Sequence, residues 1–262
     1  MHVDLLKRED ADGIAHLTLN APDRLNALSD EMLAALQDQI DRLSEDSATR
    51  VVVISGAGRA FCAGHDLRQM TEARQAEDGG RAAFADLFNR CSRVMTGLTR
   101  LPQPVIAQVH GIAAAAGCQL VATCDMAVAA DDTRFGVNGV NIGLFCSTPM
   151  VALTRNIARK QAFEMLTTGR FMQADEAVRA GLINRAVAPE ALQAETRALA
   201  ETVAGKLGAA VRIGKRAFYD QAELGLDDAY AHTGAVMVEN MLYRDTEEGI
   251  AAFLEKRPPN WS

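Results

Sequence analysis

The stretch that decides the fold is VIAQVHGIAAAAGCQLVATCDMAVAADDTRFG, residues 105–136. Two largely apolar runs, 105–109 and 126–130, have the length of buried strands, and four consecutive alanines at 113–116 precede a glycine. Small residues allow a backbone to come close to another chain segment or to a ligand. The stretch therefore predicts two buried strands with a tightly packed turn between them, followed by a neutral amide at Gln119.

The same alternation of strand and helix continues outward from this stretch. The run VVVIS at 51–55 begins with four β-branched residues, which predicts a strand buried on both faces. Apolar residues at helical spacing predict amphipathic helices over 29–46, with Ser29 as N-cap, and over 81–98. Helices between buried strands indicate parallel pairing. From Ser147 onward, the sequence is expected to be almost entirely helical.

Composition narrows the class of protein. The chain has 262 residues and a formal charge of −7, which fits one large α/β domain and disfavours nucleic acid or an anionic membrane as the main partner. No apolar run approaches the roughly 20 residues of a membrane span. No motif has the spacing of metal ligands, so no metal is expected. The cysteines form no CxxC pair, and they are interpreted as reduced thiols of a cytoplasmic protein: Cys62, Cys91, Cys118, Cys124 and Cys146.

Two turns rich in small residues each follow a buried strand. Their sequences are CAGHD at 62–66 and AAAAGC at 113–118. The segment before the first turn has Gly56 and Gly58, but it is not a dinucleotide-binding fingerprint, because Phe61 stands where the third glycine belongs; this argues against a nicotinamide-dependent oxidoreductase. Two backbone N–H groups from such turns can converge on one carbonyl oxygen and form an oxyanion hole. The alternative is that the alanines only permit close packing of a helix on a strand.

Several motifs together resemble one family. PDRLNALS, GRAFCAGHDL, the stretch at 105–136, ADEAVRAGLINRAV and EGIAAFLEKR cover nearly the whole chain, and in combination they are similar to the crotonase (enoyl-CoA hydratase/isomerase) superfamily. The resemblance implies an α/β crotonase (ClpP-like) spiral of β-β-α repeats over 1–195 and a C-terminal helical trimerisation region over 196–262. It also implies trimers that can pair into hexamers, and an acyl-CoA thioester as substrate with no separate cofactor.

The resemblance also implies the parts of a catalytic site. The oxyanion-hole N–H groups would be those of His65 and Ala116, with the N-terminus of the following helix adding its dipole. The two glutamates that activate water in hydratases of this family match Gln119 and Gly139, so both carboxylates are absent. Hydration is therefore expected to be weak or replaced by another acyl-CoA reaction. Replacing both residues by glutamate would raise hydration only if the pocket can hold them. A non-catalytic acyl-CoA-binding homologue is the alternative.

Further positions carry two interpretations each. Cys146 and Ser147 match places where some relatives carry reacting aspartates, although Ser147 or Thr148 could instead cap a helix beginning at Pro149. The His65 ring could transfer protons or simply rest against the substrate. The path of the coenzyme A moiety is implied by resemblance for Arg24, Leu25, Ala63, His65, Asp66, Leu67 and Ala116. Phe253 and Lys256 match a motif that reaches the CoA of a neighbouring subunit, and Lys256 could equally be a solvated helix end.

Overall fold

The structure is a computed structural model that describes residues 4–261. Its strands are short. They are β1 (Leu6–Ala11), β2 (Ile14–Leu19), β3 (Val51–Gly56), β4 (Val105–Val109), β5 (Ile112–Ala114), β6 (Met126–Ala130), β7 (Arg134–Gly136), β8 (Phe171–Gln173) and β9 (Arg185–Val187).

In chain order, the α-helices are α1 (Asp30–Glu45), α2 (Leu67–Ala73), α3 (Arg81–Arg100), α4 (Ala116–Thr123), α5 (Pro149–Asn156), α6 (Arg159–Thr168), α7 (Ala174–Ala180), α8 (Leu192–Ala204), α9 (Gly208–Ala222), α10 (Leu226–Met241) and α11 (Arg244–Glu255). The longest of the α-helices is α3, which lies between β3 and β4.

Two sheets form the layers of the core. The larger sheet has the order β1-β2-β3-β4-β6-β9, in which β1 pairs antiparallel at one edge and every other pairing is parallel. The smaller sheet has the order β5-β7-β8. Along the chain, β4 is followed by β5 and α4, and β6 is followed by β7 and α5. These successive turns confirm the predicted parallel pairing and the predicted spiral of β-β-α repeats.

The first long helix behaves as its sequence predicts. Ser29 accepts a hydrogen bond from the backbone N–H of Met32 at 3.2 Å and so caps α1. The apolar face of α1 is buried against α3, and its buried members are Met32, Leu33, Leu36, Ile40 and Leu43. The match arises because local signals and the tertiary packing favour the same conformation.

The expectation of an almost wholly helical segment after Ser147 is wrong at two places. Strands β8 and β9 have three residues each, and they exist because they pair with β7 and β6. Pairing of this kind depends on residues far away in the sequence, so the local pattern of such a short segment does not indicate it. These strands complete the second sheet and the far edge of the first.

A buried polar cluster joins α9 to the core. The ammonium group of Lys215 lies 2.7 Å from the Asp125 carboxylate and donates to the carbonyl oxygens of Leu98 and Gln103 at 3.0 and 2.9 Å. The Tyr219 hydroxyl donates to the other oxygen of Asp125 at 2.7 Å. Burial lowers the pKa of Lys215, and the charge of Asp125 opposes that shift. Because Asp125 lies two residues after the last residue of α4, this cluster attaches α9 near the end of that helix.

The last helices leave apolar side chains uncovered. Neither α10 nor α11 buries a large apolar side chain within this chain, and the exposed ones include Leu226, Tyr230, Met237, Leu242, Phe253 and Leu254. By contrast, α8 packs on the large sheet through Ala200, beside Val51 and Ile106. The sequence-based boundary between residues 195 and 196 falls inside α8. Within residues 4–261, no helix has the length and apolar character needed to cross a membrane.

Candidate active site

The two small-residue turns lie against each other. Cys62 forms a parallel bridge with Ala113, donating to the carbonyl oxygen of Ile112 at 3.2 Å and accepting from the N–H of Ala114 at 2.9 Å. Gly64 has φ +98°, which side chains rarely adopt, and a Cβ there would make a tight contact of 3.0 Å with the Cβ of Ala115. The pairing therefore brings the backbone after Gly64 next to the start of α4.

Ala115 has an unusual backbone conformation at the start of α4. Its φ is 48° and its ψ is −117°, a region that non-glycine residues rarely occupy. The surrounding structure holds it there, since its N–H donates to the carbonyl oxygen of Gly136 at 2.7 Å. This sharp turn makes Ala116 the first residue of α4, where a backbone N–H has no partner within the helix.

Two backbone N–H groups are left without acceptors at this junction. Among residues 4–261, neither the N–H of His65 nor that of Ala116 donates to a backbone or side-chain acceptor. Gly117 lets α4 pack this closely, because a Cβ there would overlap the carbonyl oxygen of Cys62. Buried N–H groups are nearly always paired, so an unpaired couple beside a helix N-terminus is suited to an anionic or polarised oxygen.

Gln119 lies one turn further along α4. Its side chain is buried, with 5% of the residue exposed, and its Oε1 atom has no hydrogen-bond partner within the described residues. Its carbonyl oxygen accepts from the hydroxyl of Thr123 at 2.8 Å, so the backbone at this position is ordinary helix. An unpaired amide at this point can hold a polar group of a ligand, but an amide does not exchange protons near neutral pH.

Gly139 lies in a short 3-10 helix over Asn138–Ile142 and has no space for a side chain. The chain folds back at 144–146, where the N–H of Leu144 donates to the carbonyl oxygen of Gly139 at 3.0 Å. A Cβ on Gly139 would overlap the carbonyl oxygen of Leu144 and lie 2.9 Å from the sulfur of Cys146. The position matched to the second glutamate is thus filled by backbone and a thiol.

The Cys146 and Ser147 positions differ in character. Cys146 is buried, and burial raises the pKa of its thiol, so the group is not a thiolate at neutral pH. Ser147 is exposed. The helix α5 begins at Pro149, as expected, but the predicted side-chain cap is wrong. Thr148 stands at the N-cap in helical conformation and makes no side-chain capping bond.

The side chain of His65 is packed into the wall behind the turn. Its Nδ1 atom lies 3.4 Å from the carbonyl oxygen of Leu28, and its ring meets the Phe88 ring edge to face at a centroid distance of 5.8 Å. Its Nε2 atom is buried and has no partner within the described residues. Burial lowers the pKa of His65, with the Leu28 carbonyl and Asp30 opposing, so the ring is neutral at pH 7.

The structure brings together most residues expected along the coenzyme A path. The N–H of Ala63 donates to the carbonyl oxygen of Leu25 at 3.0 Å, and the guanidinium of Arg24 lies 3.6 Å from the Asp66 carboxylate. Asp66 also caps α2 by accepting from the N–H of Arg68 at 2.9 Å. Arg24 is largely exposed, as is Leu67. This edge therefore offers the exposed guanidinium of Arg24 beside the backbone of the turn.

Phe253 and Lys256 are not joined to this site within the single chain. Both lie at the end of α11, which packs against α10, and Phe253 is 82% exposed. Lys256 has φ +56° at the helix end, and its ammonium group has no ion-pair partner in the described part of the chain. Their predicted contact with a neighbouring subunit stays a prediction.

Three structural features of the site lacked a readable sequence signal. The conformation of Ala115 is unexpected because alanine disfavours positive φ. The closure of 144–146 over Gly139 and the contact of His65 with Leu28 depend on distant segments. Gly117, by contrast, had a local signal, since a glycine directly after four alanines suggests a close approach of two backbones.

Comparisons with known proteins agree on one family. A sequence profile described as "Enoyl-CoA hydratase/isomerase" matches residues 9–262. The human protein named enoyl-CoA hydratase domain-containing protein 3, mitochondrial, is 47% identical over 251 residues, which cover 96% of this chain and 81% of that protein. Among solved structures, an enoyl-CoA hydratase from Mycobacterium smegmatis is 53% identical, with a TM-score of 0.95 and 99% of each chain covered.

The crystal structure of the human domain-containing protein 3 is also similar. It is 44% identical, has a TM-score of 0.93, and covers 98% of this chain and 100% of its own. The names of such relatives contradict the predicted cytoplasmic location, because the human protein and its Xenopus laevis counterpart are named as mitochondrial. The physical reason for the error is that unpaired cysteines indicate a reducing environment without distinguishing one such compartment from another.

Proposed function

Because the chain belongs to the enoyl-CoA hydratase/isomerase family, we propose that it binds an acyl-CoA thioester and stabilises an enolate or oxyanion formed from it. The observation that carries this proposal is the pair of N–H groups of His65 and Ala116, both without an acceptor at adjoining turns. Donors fixed in place before the reaction stabilise developing negative charge without reorganisation. The N-terminus of α4 adds a partial positive charge at the same place.

We propose that hydration is slow in this protein. Adding water to an enoyl thioester needs a group that takes a proton from water and a group that delivers one to carbon, and each contributes about 10²–10⁴-fold. Gln119 has an amide in place of the first, and Gly139 has neither a side chain nor space for one. The oxyanion hole alone does not replace these groups, so a reaction that proceeds through the enolate without activated water fits this site better.

The absence of both carboxylates also favours a second candidate, a non-catalytic acyl-CoA-binding homologue. The two candidates share the binding site and differ in turnover. In both, coenzyme A is part of the substrate rather than a separate cofactor. The guanidinium of Arg24 can contact the phosphates of coenzyme A with little rearrangement. It is largely exposed, and its ion pair with Asp66 is weak at 3.6 Å.

The assembly that suits this chain is a trimer, alone or paired into a hexamer. The uncovered apolar side chains of α10 and α11 support this proposal, because exposed apolar patches of this kind are typical of subunit interfaces. Docking α11 on a neighbour would carry Phe253 and Lys256 away from solvent and toward the neighbouring thioester site.

The test combines binding with turnover. Titration calorimetry with butyryl-CoA is expected to detect binding, and NMR in D₂O is expected to show exchange of its α-hydrogens if the protein is an enzyme. Ala116→Pro removes one donor N–H and is expected to lower that exchange by about 10²–10³-fold. Ala116→Gly keeps the N–H and serves as the matched control, with melting temperatures confirming that both variants are folded.

The outcomes separate the candidates. Binding without exchange leaves the non-catalytic homologue, and absence of binding refutes the acyl-CoA proposal altogether. Normal exchange by folded Ala116→Pro would show that the N–H of residue 116 is not a donor in the reaction.

A further inference from the structure

The site contains a second unpaired group whose purpose the backbone donors do not explain. Nε2 of His65 is buried without a hydrogen-bond partner, although it belongs to the same residue whose N–H points to the proposed oxyanion. Buried polar atoms are normally satisfied, and an exception calls for a ligand or a chemical role. The ring therefore has a vacant acceptor position on the residue that also supplies one of the two proposed oxyanion donors.

The surroundings of the ring determine which nitrogen carries the proton. Nδ1 faces the carbonyl oxygen of Leu28 at 3.4 Å, and a carbonyl oxygen can only accept. In the neutral ring, Nδ1 is therefore the donor and Nε2 has the free lone pair. The edge contact with Phe88 keeps the ring from rotating away from this arrangement.

We propose that Nε2 of His65 is the proton-transfer group of this protein and takes the place of the missing carboxylates. This inference rests on the proposed function. In the step, Nε2 removes a proton from the α-carbon of the bound thioester. The electron pair of that C–H bond forms the carbon–carbon double bond of the enolate, and the carbonyl π-electrons move to the oxygen held by the N–H groups of His65 and Ala116.

The imidazolium gives a proton back to the substrate, so no other reactant is needed. When the ring first exchanges its proton with water, reprotonation of the α-carbon places a hydrogen from the solvent there. With a β,γ-unsaturated thioester the imidazolium can deliver the proton to the γ-carbon, which moves the double bond into conjugation with the carbonyl group. Gln119 can hold the acyl portion by a hydrogen bond but contributes no proton.

Nearby charges leave the ring available as a base. From α1, Asp30 favours the protonated ring, but its carboxylate is paired at 2.7 Å with Arg90 of α3. Asp66, at the start of α2, is paired with Arg24. Burial outweighs the Leu28 carbonyl and Asp30, and it lowers the pKa of His65 below its usual value near 6.5. The base is consequently in its active, neutral form throughout the physiological pH range.

The experiment measures exchange of the α-hydrogens of butyryl-CoA in D₂O by NMR for the unmodified protein, His65→Gln and His110→Gln. His65→Gln keeps the backbone N–H and is expected to lower exchange by about 10²–10⁴-fold while the Kd for butyryl-CoA changes little. His110→Gln is the matched control, since the only hydrogen bond of the His110 ring among residues 4–261 is with the carbonyl oxygen of Gly58 at 2.8 Å, and it is expected to exchange at the unmodified rate.

The pH dependence of exchange by the unmodified protein is a second test. A purely structural role of His65 would not produce it, and it needs no variant. Exchange by the unmodified protein is expected to fall in acid as the pH drops through the pKa of His65, and to be level near neutral pH. An exchange rate in folded His65→Gln equal to that of the unmodified protein, or a profile without the acid limb, would overturn this inference and leave the oxyanion hole standing. Failure of the unmodified protein to exchange would overturn it too, and failure to bind butyryl-CoA would remove the proposed function as well.

Discussion

Gly139→Ala is the substitution that best tests how tightly the site is closed. The backbone at Gly139 does not have positive φ, so alanine is compatible with its dihedral angles and would by itself stabilise the folded protein by about 0.4–1 kcal/mol. The added methyl group, however, overlaps the carbonyl oxygen of Leu144 and lies 2.9 Å from the sulfur of Cys146. Overpacking costs about 1–3 kcal/mol, and here the upper end applies because a backbone atom must move.

The steric effect therefore wins, and we expect Gly139→Ala to lower the free energy of unfolding by about 2 kcal/mol. Gly214→Ala is the matched control, since a Cβ at Gly214 in the middle of α9 meets no atom within 4 Å among residues 4–261. That variant is expected to gain about 0.5–1 kcal/mol from helix propensity. The assay is urea denaturation followed by circular dichroism at one fixed protein concentration, which keeps any contribution from assembly constant.

The same closure predicts the result of restoring the carboxylates. Gln119→Glu with Gly139→Glu is expected to gain no hydration of crotonyl-CoA, because the second glutamate has no place without displacing Leu144. Gly139→Ala as stable as the unmodified protein, with Gly214→Ala behaving as expected, would refute the closed geometry. A double-glutamate protein that hydrates crotonyl-CoA well would refute it independently.

Three other predictions concern groups described above. Asp125→Asn leaves the buried ammonium of Lys215 without its counterion and should cost about 3–5 kcal/mol in chemical denaturation; adding Lys215→Met should recover much of that loss, and no recovery would argue against the ion pair. The Asp46 carboxylate has its pKa lowered to about 2, first by the Thr49 hydroxyl and then by Arg8. Its folded pKa is below the unfolded value near 3.9, so its contribution is complete above about pH 5 and is lost progressively as the pH falls through about 2; Asp46→Asn should therefore lose less stability over that range than the unmodified protein. Lys256→Ala should weaken acyl-CoA binding modestly at low salt, and the difference should shrink as salt is added; equal affinities at low salt would place Lys256 away from the phosphates.

The parts of the fold that the sequence predicts are those in which local and tertiary preferences coincide. The helix at 29–46 is an example, because its cap and its five apolar residues all agree with the helix that forms. The run at 51–55 is buried throughout, as its β-branched composition indicates. Strands β5, β7, β8 and β9 have three residues each and exist through pairing, so no local pattern predicts them.

The features of the site also differ in whether they depend on local sequence or on distant segments. The adjoining turns at 62–66 and 113–118 could be predicted, since small residues after buried strands indicate close backbone approach. The loss of space at Gly139 could not, because it depends on the path of the chain at 144–146. Likewise, the sequence contains a histidine at 65, but the vacant Nε2 and the bond at Nδ1 arise from Leu28 and Phe88, which come from other segments.

The conformation of Ala115 has a consequence for how the proposed site meets its ligand. Glycine would reach φ 48° and ψ −117° without strain, but a glycine chain samples many other conformations as readily. Alanine makes the observed turn costlier to form and leaves fewer nearby conformations to which it can relax. The free-energy cost of this backbone conformation is part of folding and is not incurred again when a ligand binds. The N–H of Ala116 is then held in a fixed direction, and little conformational entropy remains to be lost when a thioester binds.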